Sequence, residues 1–394
     1  MNPSSNGWIT KFGFLVKDYN DLYENYDELY LHLKKIGFIY GINLYIPEFI
    51  PTKHSLSEDE NAKINLITAL YFTCKLQKSN VSFDTFLDLI FDFYQILGMN
   101  NISFLNKILT GNNKTQQLEH ILDSRVYIDD NVISKTFNSS ITNSLLYIDV
   151  LTFKAYLNKK QHIKKHAENL EYITINIAFD ALNSKEKNKK DENLVKLFAS
   201  SLTFTDNEKE DFDGSYKEKL IQQFSVFESK YFIDLACLTV WEDQSLGVKE
   251  SEFIFSICKD LKLPKTTITI ALKNVKDFFE INAEKIPYLK DKNLAVQFYD
   301  SMAKIVDKLI LRNSKRLQKE LSESKELVSL LSKSTVKELS AEERKKVQNQ
   351  LLDIFKSIPS LAIFMLPGGA VLLPIFIKLI PKLLPSAFDD NRLD

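Results

Sequence analysis

Residues 65–97, NLITALYFTCKLQKSNVSFDTFLDLIFDFYQIL, decide the fold class of this chain. The first half is a nearly continuous apolar run. In the second half, apolar residues recur at the three- and four-residue spacing of an amphipathic helix. Ser82 lies between the halves, where a helix N-cap is expected, and Gly98 follows the second half. The stretch therefore predicts two helices joined by a short turn.

Similar patterns recur along the chain and predict an all-α fold, a multi-helix bundle. Ser57 and Ser340 each begin a capping box that is closed by a glutamate three residues later. Helices are predicted over residues 18–35, 62–77, 83–97, 115–122, 140–158, 167–183, 192–202, 218–229, 230–241, 249–261, 264–279, 291–317 and 341–356. The acidic stretch 205–215 is the best domain boundary. It divides an N-terminal helical region (1–204) from a helical module (216–290) and a C-terminal region (291–394).

Composition excludes several classes of protein. The 394 residues are 44% hydrophobic and carry a net charge of −1, which excludes a disordered chain. The neutral balance also argues against a globally basic nucleic-acid binder, so no DNA partner is expected. Three scattered cysteines without a CxxC pair favour a reducing, cytoplasmic setting. No catalytic motif is found, so neither an enzyme nor a cofactor is expected.

Few side chains are candidates for chemistry. His162 and His166 share one helical face, as a metal site would require, but four lysines surround them, so a solvated face is expected. Cys237 and Cys258 lie on apolar faces and are interpreted as core thiols. The acidic stretch 205–215 lacks the carboxylates of an EF-hand. No metal site is therefore predicted.

Residues 231–264, within the module 216–290, follow a pattern in which an apolar helix runs into an acidic turn and a Glu-rich helix start. The positions that carry this pattern are Ala236, Glu242, Asp243, Gly247, Glu250, Glu252, Leu261 and Leu263. The pattern resembles the tellurite-resistance-B-like (TerB-like) helical module. Residues 244–246 interrupt the acidic turn, which disfavours a metal site. The four acids form either a small acidic site or, the favoured interpretation, turn and N-cap residues. Residues 65–97 are a faint echo of the same pattern, which allows a duplicated module.

The C-terminal region contains 21 consecutive uncharged residues, 357–377, SIPSLAIFMLPGGAVLLPIFI. As one helix they would span about 31 Å, close to the hydrocarbon thickness of a bilayer. Three alternatives stay open: one kinked transmembrane helix, a hairpin that turns at residues 366–369 in the membrane interface, or a hairpin packed on the protein's own helices. The predicted membrane segment comprises Ile358, Pro359, Leu361, Ile363, Phe364, Leu366, Pro367, Gly368, Gly369, Leu372, Leu373, Pro374, Ile375, Phe376 and Ile377.

Prolines repeat inside this apolar segment, and an LPSxF sequence ends it. The matching positions are Pro359, Pro367, Leu372, Leu373, Pro374, Lys378, Leu379, Pro381, Leu384, Pro385, Ser386 and Phe388. The segment resembles the transmembrane and juxtamembrane region of the LETM family, the leucine-zipper and EF-hand-containing transmembrane proteins. The layout also resembles LETM-related, biofilm-associated bacterial proteins of the Bacteroidetes type. In mitochondrial members a ribosome-associated domain follows this motif. Because residue 394 lies six residues beyond Phe388, that domain is not expected here.

Six basic residues fall on one arc of a predicted helix: Lys304, Lys308, Arg312, Lys315, Arg316 and Lys319. They form either the solvated face of an ordinary amphipathic helix or a patch for anionic lipid or ribosomal RNA.

The predicted function is a non-enzymatic scaffold or adaptor at the cytoplasmic face of the inner membrane. Its partners would be membrane lipid and a protein or ribosomal partner, as the LETM resemblance implies. One alternative is a cation-transport component of ion homeostasis. The other is a soluble TerB-like sensor whose apolar segment is core.

Overall fold

The computed structural model describes residues 1–19, 21–52, 54–78, 80–98, 114–126, 144–184, 216–221, 224–241, 248–286, 306–307, 309–311, 313–337, 339–358, 361 and 373–385. These ranges contain α-helices and short 3₁₀ stretches, such as Lys17–Tyr19, but no strand. The predicted all-α class is confirmed.

The helices are short and follow one another closely. They are α1 (Trp8–Val16), α2 (Tyr26–Lys35), α3 (Glu58–Gln77), α4 (Phe83–Ile96), α5 (Lys114–Arg125), α6 (Leu146–Leu157), α7 (Ile163–Ser184), α8 (Tyr216–Leu220), α9 (Val226–Val240), α10 (Val248–Asp260), α11 (Thr266–Ile281), α12 (Ser314–Ser322), α13 (Lys325–Val336), α14 (Ala341–Ser357) and α15 (Leu373–Leu383).

Serine caps set the start of several helices. Ser57 and Ser340 form the predicted capping boxes with Glu60 and Glu343, and Ser82 accepts a hydrogen bond from the backbone N–H of Thr85. A third capping box, formed by Ser225, starts α9. The predicted helix 218–229 is therefore wrong, because α8 ends at Leu220 and a new helix begins after Ser225.

Other boundaries also differ from prediction. The helix predicted over 18–35 begins only at Tyr26, because the side chain of Asn25 caps it. Helix α7 begins at Ile163, four residues earlier than predicted, and α1 was not predicted. The proposed boundary at 205–215, the helix at 192–202 and most of the one at 291–317 lie outside the described residues.

Helices α1 to α11 form what we call the N-terminal body, and α3, α6, α7 and α9 lie at its centre. Helix α3 packs on α6, α6 on α7, and α7 on α9, while α10 and α11 contact α9. In α9 almost every residue from Glu228 to Val240 is buried. A helix that is apolar on all sides must be enclosed by other helices, which is how this body buries its sequence.

Buried ion pairs connect the helices of this body. The guanidinium of Arg125 donates two hydrogen bonds of 2.6 Å to the carboxylate of Asp149, and the Tyr94 hydroxyl donates a third at 3.0 Å. Asp234 similarly accepts hydrogen bonds from Lys34 and Tyr30, both at 2.6 Å. Each carboxylate thus has the partners that a charge excluded from water needs.

Helix α2 ends in a tight turn that requires glycine. Gly37 has φ +89°, and its N–H and that of Phe38 return to carbonyls of α2 in a Schellman motif. A Cβ atom at this position would lie 1.8 Å from the carbonyl oxygen of Ile42. The turn therefore has no room for a side chain at this position, and the positive φ angle also disfavours every residue except glycine.

Candidate functional site

The last four helices form what we call the C-terminal helical unit, α12 to α15. Helix α13 packs against α12, α14 and α15. Its apolar residues Leu327, Val328 and Leu331 are buried, together with Leu351 and Phe355 of α14. This core supports the surface described below.

The uncharged segment 357–377 is not one helix in this unit. Helix α14 ends at Ser357, and Ile358 is extended, with φ −116° and ψ 103°. The next described helix begins at Leu373. Helix α14 therefore does not continue through Ile358, and residues 359–360 and 362–372 of the segment lie outside the described residues. Among the residues that the structure describes, no helix has both the length and the apolar character needed to cross a bilayer.

The described side chains of the segment lie inside the protein. Ile358, Leu361, Leu373, Ile375, Phe376 and Ile377 are buried. The ring of Phe376 meets that of Phe355 edge to face, with centroids 5.2 Å apart. For these residues the third alternative, packing on the protein's own helices, describes the arrangement. The predicted segment residues Pro359, Ile363, Phe364, Leu366, Pro367, Gly368, Gly369 and Leu372 lie outside the described residues, and Pro374 lies in the first turn of α15.

The LETM-like motif continues on α15, which has one buried and one exposed face. Leu384 is buried, whereas Lys378, Lys382 and Pro385 are exposed. Leu379 and Pro381 are half-buried. Pro381 removes a backbone donor, and the helix ends two residues later at Leu383. Ser386 and Phe388 lie outside the described residues.

Half of the predicted basic stripe lies on α12. Lys315, Arg316 and Lys319 are exposed, while Leu317 and Leu321 on the same helix are buried. Lys304, Lys308 and Arg312 lie outside the described residues. The three described cations therefore face solvent above an apolar core.

The described part of the unit is basic although the chain is nearly neutral. Over residues 313–337, 339–358 and 373–385 there are twelve Lys and Arg side chains and six Asp and Glu side chains. This imbalance was missed in the sequence because the net charge of −1 is summed over the full chain. A charge count over residues 313–385, which contain twelve basic and seven acidic residues, would have found it.

Three of these six acids are already paired with cations of the unit. Glu326 accepts hydrogen bonds from Lys346 at 2.8 Å and Gln350 at 3.1 Å, and Glu343 pairs with Lys333. The hydrogen bond from Lys346 lowers the pKa of Glu326 below its ordinary value. Eight exposed cations make no ion pair with any residue that the structure describes: Lys315, Arg316, Lys319, Lys325, Lys337, Lys345, Lys378 and Lys382. We call these eight the basic surface.

Such a surface can bind a polyanion. Lysine and arginine neutralise phosphate groups and release their counterions, and the resulting affinity falls with salt. Anionic lipid headgroups are attracted by the same charges.

The other predicted site residues lie in the N-terminal body. His162 is exposed, but His166 is buried, with Nε2 2.6 Å from Oε1 of Glu228. The predicted solvated face is therefore wrong for His166. Cys237 and Cys258 are buried, as predicted, and burial raises the pKa of the Cys237 thiol. No group of three or more His, Cys, Asp or Glu side chains that could hold a metal occurs within the described ranges.

The acids of the TerB-like pattern are only partly described. Glu250 is buried in the first turn of α10 and Glu252 is exposed on the same helix, whereas Glu242, Asp243 and Gly247 lie outside the described residues. Leu261 and Leu263 flank Lys262, whose φ of +55° ends α10 in a Schellman motif. The L-x-L sequence is thus explained by a helix end.

Comparison with protein families identifies the C-terminal unit. Residues 339–393 match the family model described as "LETM1-like, RBD", a stretch that includes α14 and α15. No curated protein and no solved structure matches the chain. The match supports the LETM-like resemblance, and its range includes the proline-rich segment. The chain carries a LETM1-like RBD domain at residues 339–393.

Proposed function

We propose that this protein is a non-enzymatic scaffold whose C-terminal helical unit binds the ribosome. The observation that carries the proposal is the basic surface: eight exposed cations, without an ion pair among the described residues, lie on the unit that contains the LETM1-like RBD domain. The LETM resemblance implies a ribosomal partner, and this proposal places the contact on the C-terminal helical unit instead of on the domain that follows the motif in mitochondrial members.

The charge pattern favours ribosomal RNA or an acidic ribosomal protein as the target. Because the acids Glu326, Glu343 and Asp353 are neutralised within the unit, they do not cancel the field of the basic surface. A surface of this kind gains affinity from each phosphate that it neutralises, and ionic strength controls that gain. The apolar core beneath holds the helices that present these cations.

The proposal also includes association with the cytoplasmic face of the inner membrane. Its support is the LETM resemblance together with the basic surface, since anionic headgroups attract lysines by about 1 kcal/mol each. The relation to biofilm-associated proteins and the TerB-like module at 216–290 stay predictions.

A second candidate function is a soluble helical sensor or adaptor. The observation that favours it is the burial of Ile375, Phe376 and Ile377, with the Phe376 ring against Phe355 of α14, because buried side chains do not face lipid. Nothing in the described residues favours the cation-transport alternative.

Ribosome co-sedimentation of the full chain tests the leading proposal. The variant Lys345→Gln, Lys378→Gln, Lys382→Gln removes three cations of the basic surface within the matched domain. The matched control, Lys249→Gln, Lys259→Gln, Lys273→Gln, removes the same charge from exposed positions on α10 and α11. If each contact contributes about 1 kcal/mol, the first variant will bind roughly a hundredfold more weakly. Equal binding by both variants would refute the proposed site.

Membrane association needs a separate test. Full-length protein and a truncation ending at Lys356 are fractionated, and the membranes are washed with salt or with alkaline carbonate. Pelleting that resists carbonate and is lost on truncation supports an inserted segment. Pelleting that salt abolishes supports attachment through the basic surface. A full-length protein that never pellets, with a truncation that aggregates, supports the soluble candidate.

A further inference from the structure

We propose that a cavity in the N-terminal body, where the α6–α7 turn faces the end of α3 and one side of α4, binds a phosphate-bearing ligand. The cavity has a volume of about 670 Å³. That size lies within the range of about 300–1,000 Å³ that is usual for small-molecule sites. It lies outside the C-terminal helical unit, so it is independent of the ribosome proposal.

The cavity wall is strongly cationic. It is lined by Lys78, Lys159, Lys160, His162, Lys164 and Lys165. Glu168 is the one acid among the lining residues, and its carboxylate lies 3.8 Å from the ammonium of Lys164. The other four lysines make no ion pair with a described residue. Clustered like charges repel one another, and an anionic ligand relieves that repulsion.

Four of these lysines, Lys159, Lys160, Lys164 and Lys165, are the ones that disfavour a metal ion at His162 and His166 in the sequence. The sequence KKQHIKKHAE places them on both sides of His162. The fold adds Lys78 from the end of α3, which is distant in sequence. The same charge that excludes a cation therefore becomes an argument for an anion.

The backbone of the turn adds to this field. Lys159 has φ +59°, and the N–H groups of Lys159 and Lys160 bond to carbonyls of Tyr156 and Ala155, which closes α6. Helix α7, 22 residues long, begins three residues later at Ile163. The positive end of its dipole thus lies at the cavity, where it favours an anion.

The apolar part of the wall narrows the class of ligand. Leu89, Ile96, Tyr156 and Leu157 line the cavity beside the lysines, and 46% of Ile96 is exposed. A bare inorganic anion would leave this surface in water. A ligand with a phosphate group joined to an aromatic or aliphatic part would cover it. Both a soluble nucleotide and a phospholipid headgroup have this chemistry.

Binding measurements on the full chain test the site and distinguish the two sources. One experiment titrates adenosine triphosphate and, separately, inorganic pyrophosphate by calorimetry at low ionic strength. The other measures flotation with vesicles of phosphatidylcholine and phosphatidylglycerol in a four-to-one ratio, with pure phosphatidylcholine vesicles as the reference. The test variant is Lys160→Gln, Lys165→Gln. The control variant, Lys249→Gln, Lys273→Gln, makes the same charge change at exposed positions outside the cavity.

The proposal expects saturable binding that the test variant weakens roughly 25-fold, at about fivefold per lysine, while the control variant binds like the wild type. Saturable calorimetric binding assigns the site to a soluble phosphate compound. Flotation that requires phosphatidylglycerol, without calorimetric binding, assigns it to a lipid headgroup. Equal weakening in both variants, or no binding in either experiment, overturns the proposal. Matching circular dichroism melts show that the variants are folded.

Discussion

Replacing Phe376 by alanine tests whether the uncharged segment is part of the protein core. The side chain is fully buried, and its ring lies edge to face with Phe355, centroids 5.2 Å apart and ring planes at 90°. The buried ring therefore stabilises the packing of α15 on α13 and α14. If the segment instead lies in lipid, the same residue contributes nothing to those helices.

The expected cost follows from the burial. Truncating a buried phenylalanine to alanine costs about 3–5 kcal/mol, which combines lost apolar burial with the cavity left behind. The edge-to-face pair accounts for about 1 kcal/mol of that total. A loss of about 4 kcal/mol raises the equilibrium constant for opening of the C-terminal helical unit by roughly a thousandfold. The upper limit is the exchange rate of an unfolded chain.

Hydrogen exchange with mass spectrometry measures this opening locally. Peptides from α13 and α14 should exchange faster in Phe376→Ala, while those from α3 and α6 keep the wild-type rate. Phe14→Ala is the matched control, because the Phe14 side chain is 65% exposed and should lose little on truncation. The double variant with Phe355→Ala should show a coupling of about 1 kcal/mol. Wild-type exchange in α13 and α14 of Phe376→Ala would refute the packing.

Three further substitutions test the N-terminal body. Gly37→Ala will leave the chain largely unfolded, because the added Cβ would lie 1.8 Å from a carbonyl oxygen. Gly7→Ala is the control: Gly7 has φ +86° but open space around it, so this substitution will cost only about 1–2 kcal/mol of folding free energy. Soluble yield and melting temperature are compared between the two variants. Asp149→Asn will cost about 3–5 kcal/mol in urea unfolding, since a buried arginine loses its counter-charge, and an unchanged midpoint would contradict this. Burial raises the pKa of Glu228, but hydrogen bonds from His166 and a backbone N–H outweigh it and leave the pKa low. The carboxylate thus adds stability that is lost as the pH falls below about 4.5. In Glu228→Gln, the urea concentration at the unfolding midpoint should therefore decrease less at acidic pH than it does in the wild type.

Local signals predicted much of the secondary structure. Ser57, Ser82 and Ser340 were identified as caps because each precedes an apolar-periodic run, and each starts a helix in the structure. Ser225 has the same capping box but was missed. Apolar residues continue on both sides of Ser225, so periodicity alone placed one predicted helix across it, where the structure has a break. A capping box is the stronger signal in such a run.

The uncharged segment shows where composition is ambiguous. Twenty-one residues without charge have the length of a membrane span, and prolines and glycines are tolerated there. Ile375, Phe376 and Ile377 are three consecutive buried residues that satisfy the same pattern on α15, which packs against α13 and meets Phe355 of α14 through Phe376. Apolar content alone does not distinguish lipid from a neighbouring helix, because both remove the side chain from water.

The candidate sites depended on contacts that no local pattern contains. His166 was expected in solvent because lysines surround it in sequence, yet it meets Glu228, 62 residues away. Lys78 joins the lysines of the α6–α7 turn at one cavity from the end of another helix. Charge runs are usually solvated faces, and only tertiary packing shows when such a run lines a cavity.

The distribution of charge connects the two proposed binding sites. A chain with net charge −1 gains no long-range attraction to polyanions from its total charge. Attraction must instead come from local surfaces, and two occur in the described residues: the basic surface on α12–α15 and the lysine-lined cavity at the α6–α7 turn. They differ in shape, since one is spread over the outside of a helical unit and the other is concave with an apolar wall. A polymer such as ribosomal RNA fits the first and a small phosphate compound or single headgroup fits the second.

Binding to the basic surface should therefore fall steeply with salt, because many counterions are released, whereas binding in the cavity should fall less because fewer phosphates are neutralised. Equal salt slopes for ribosome binding and for ligand binding would contradict this division of roles.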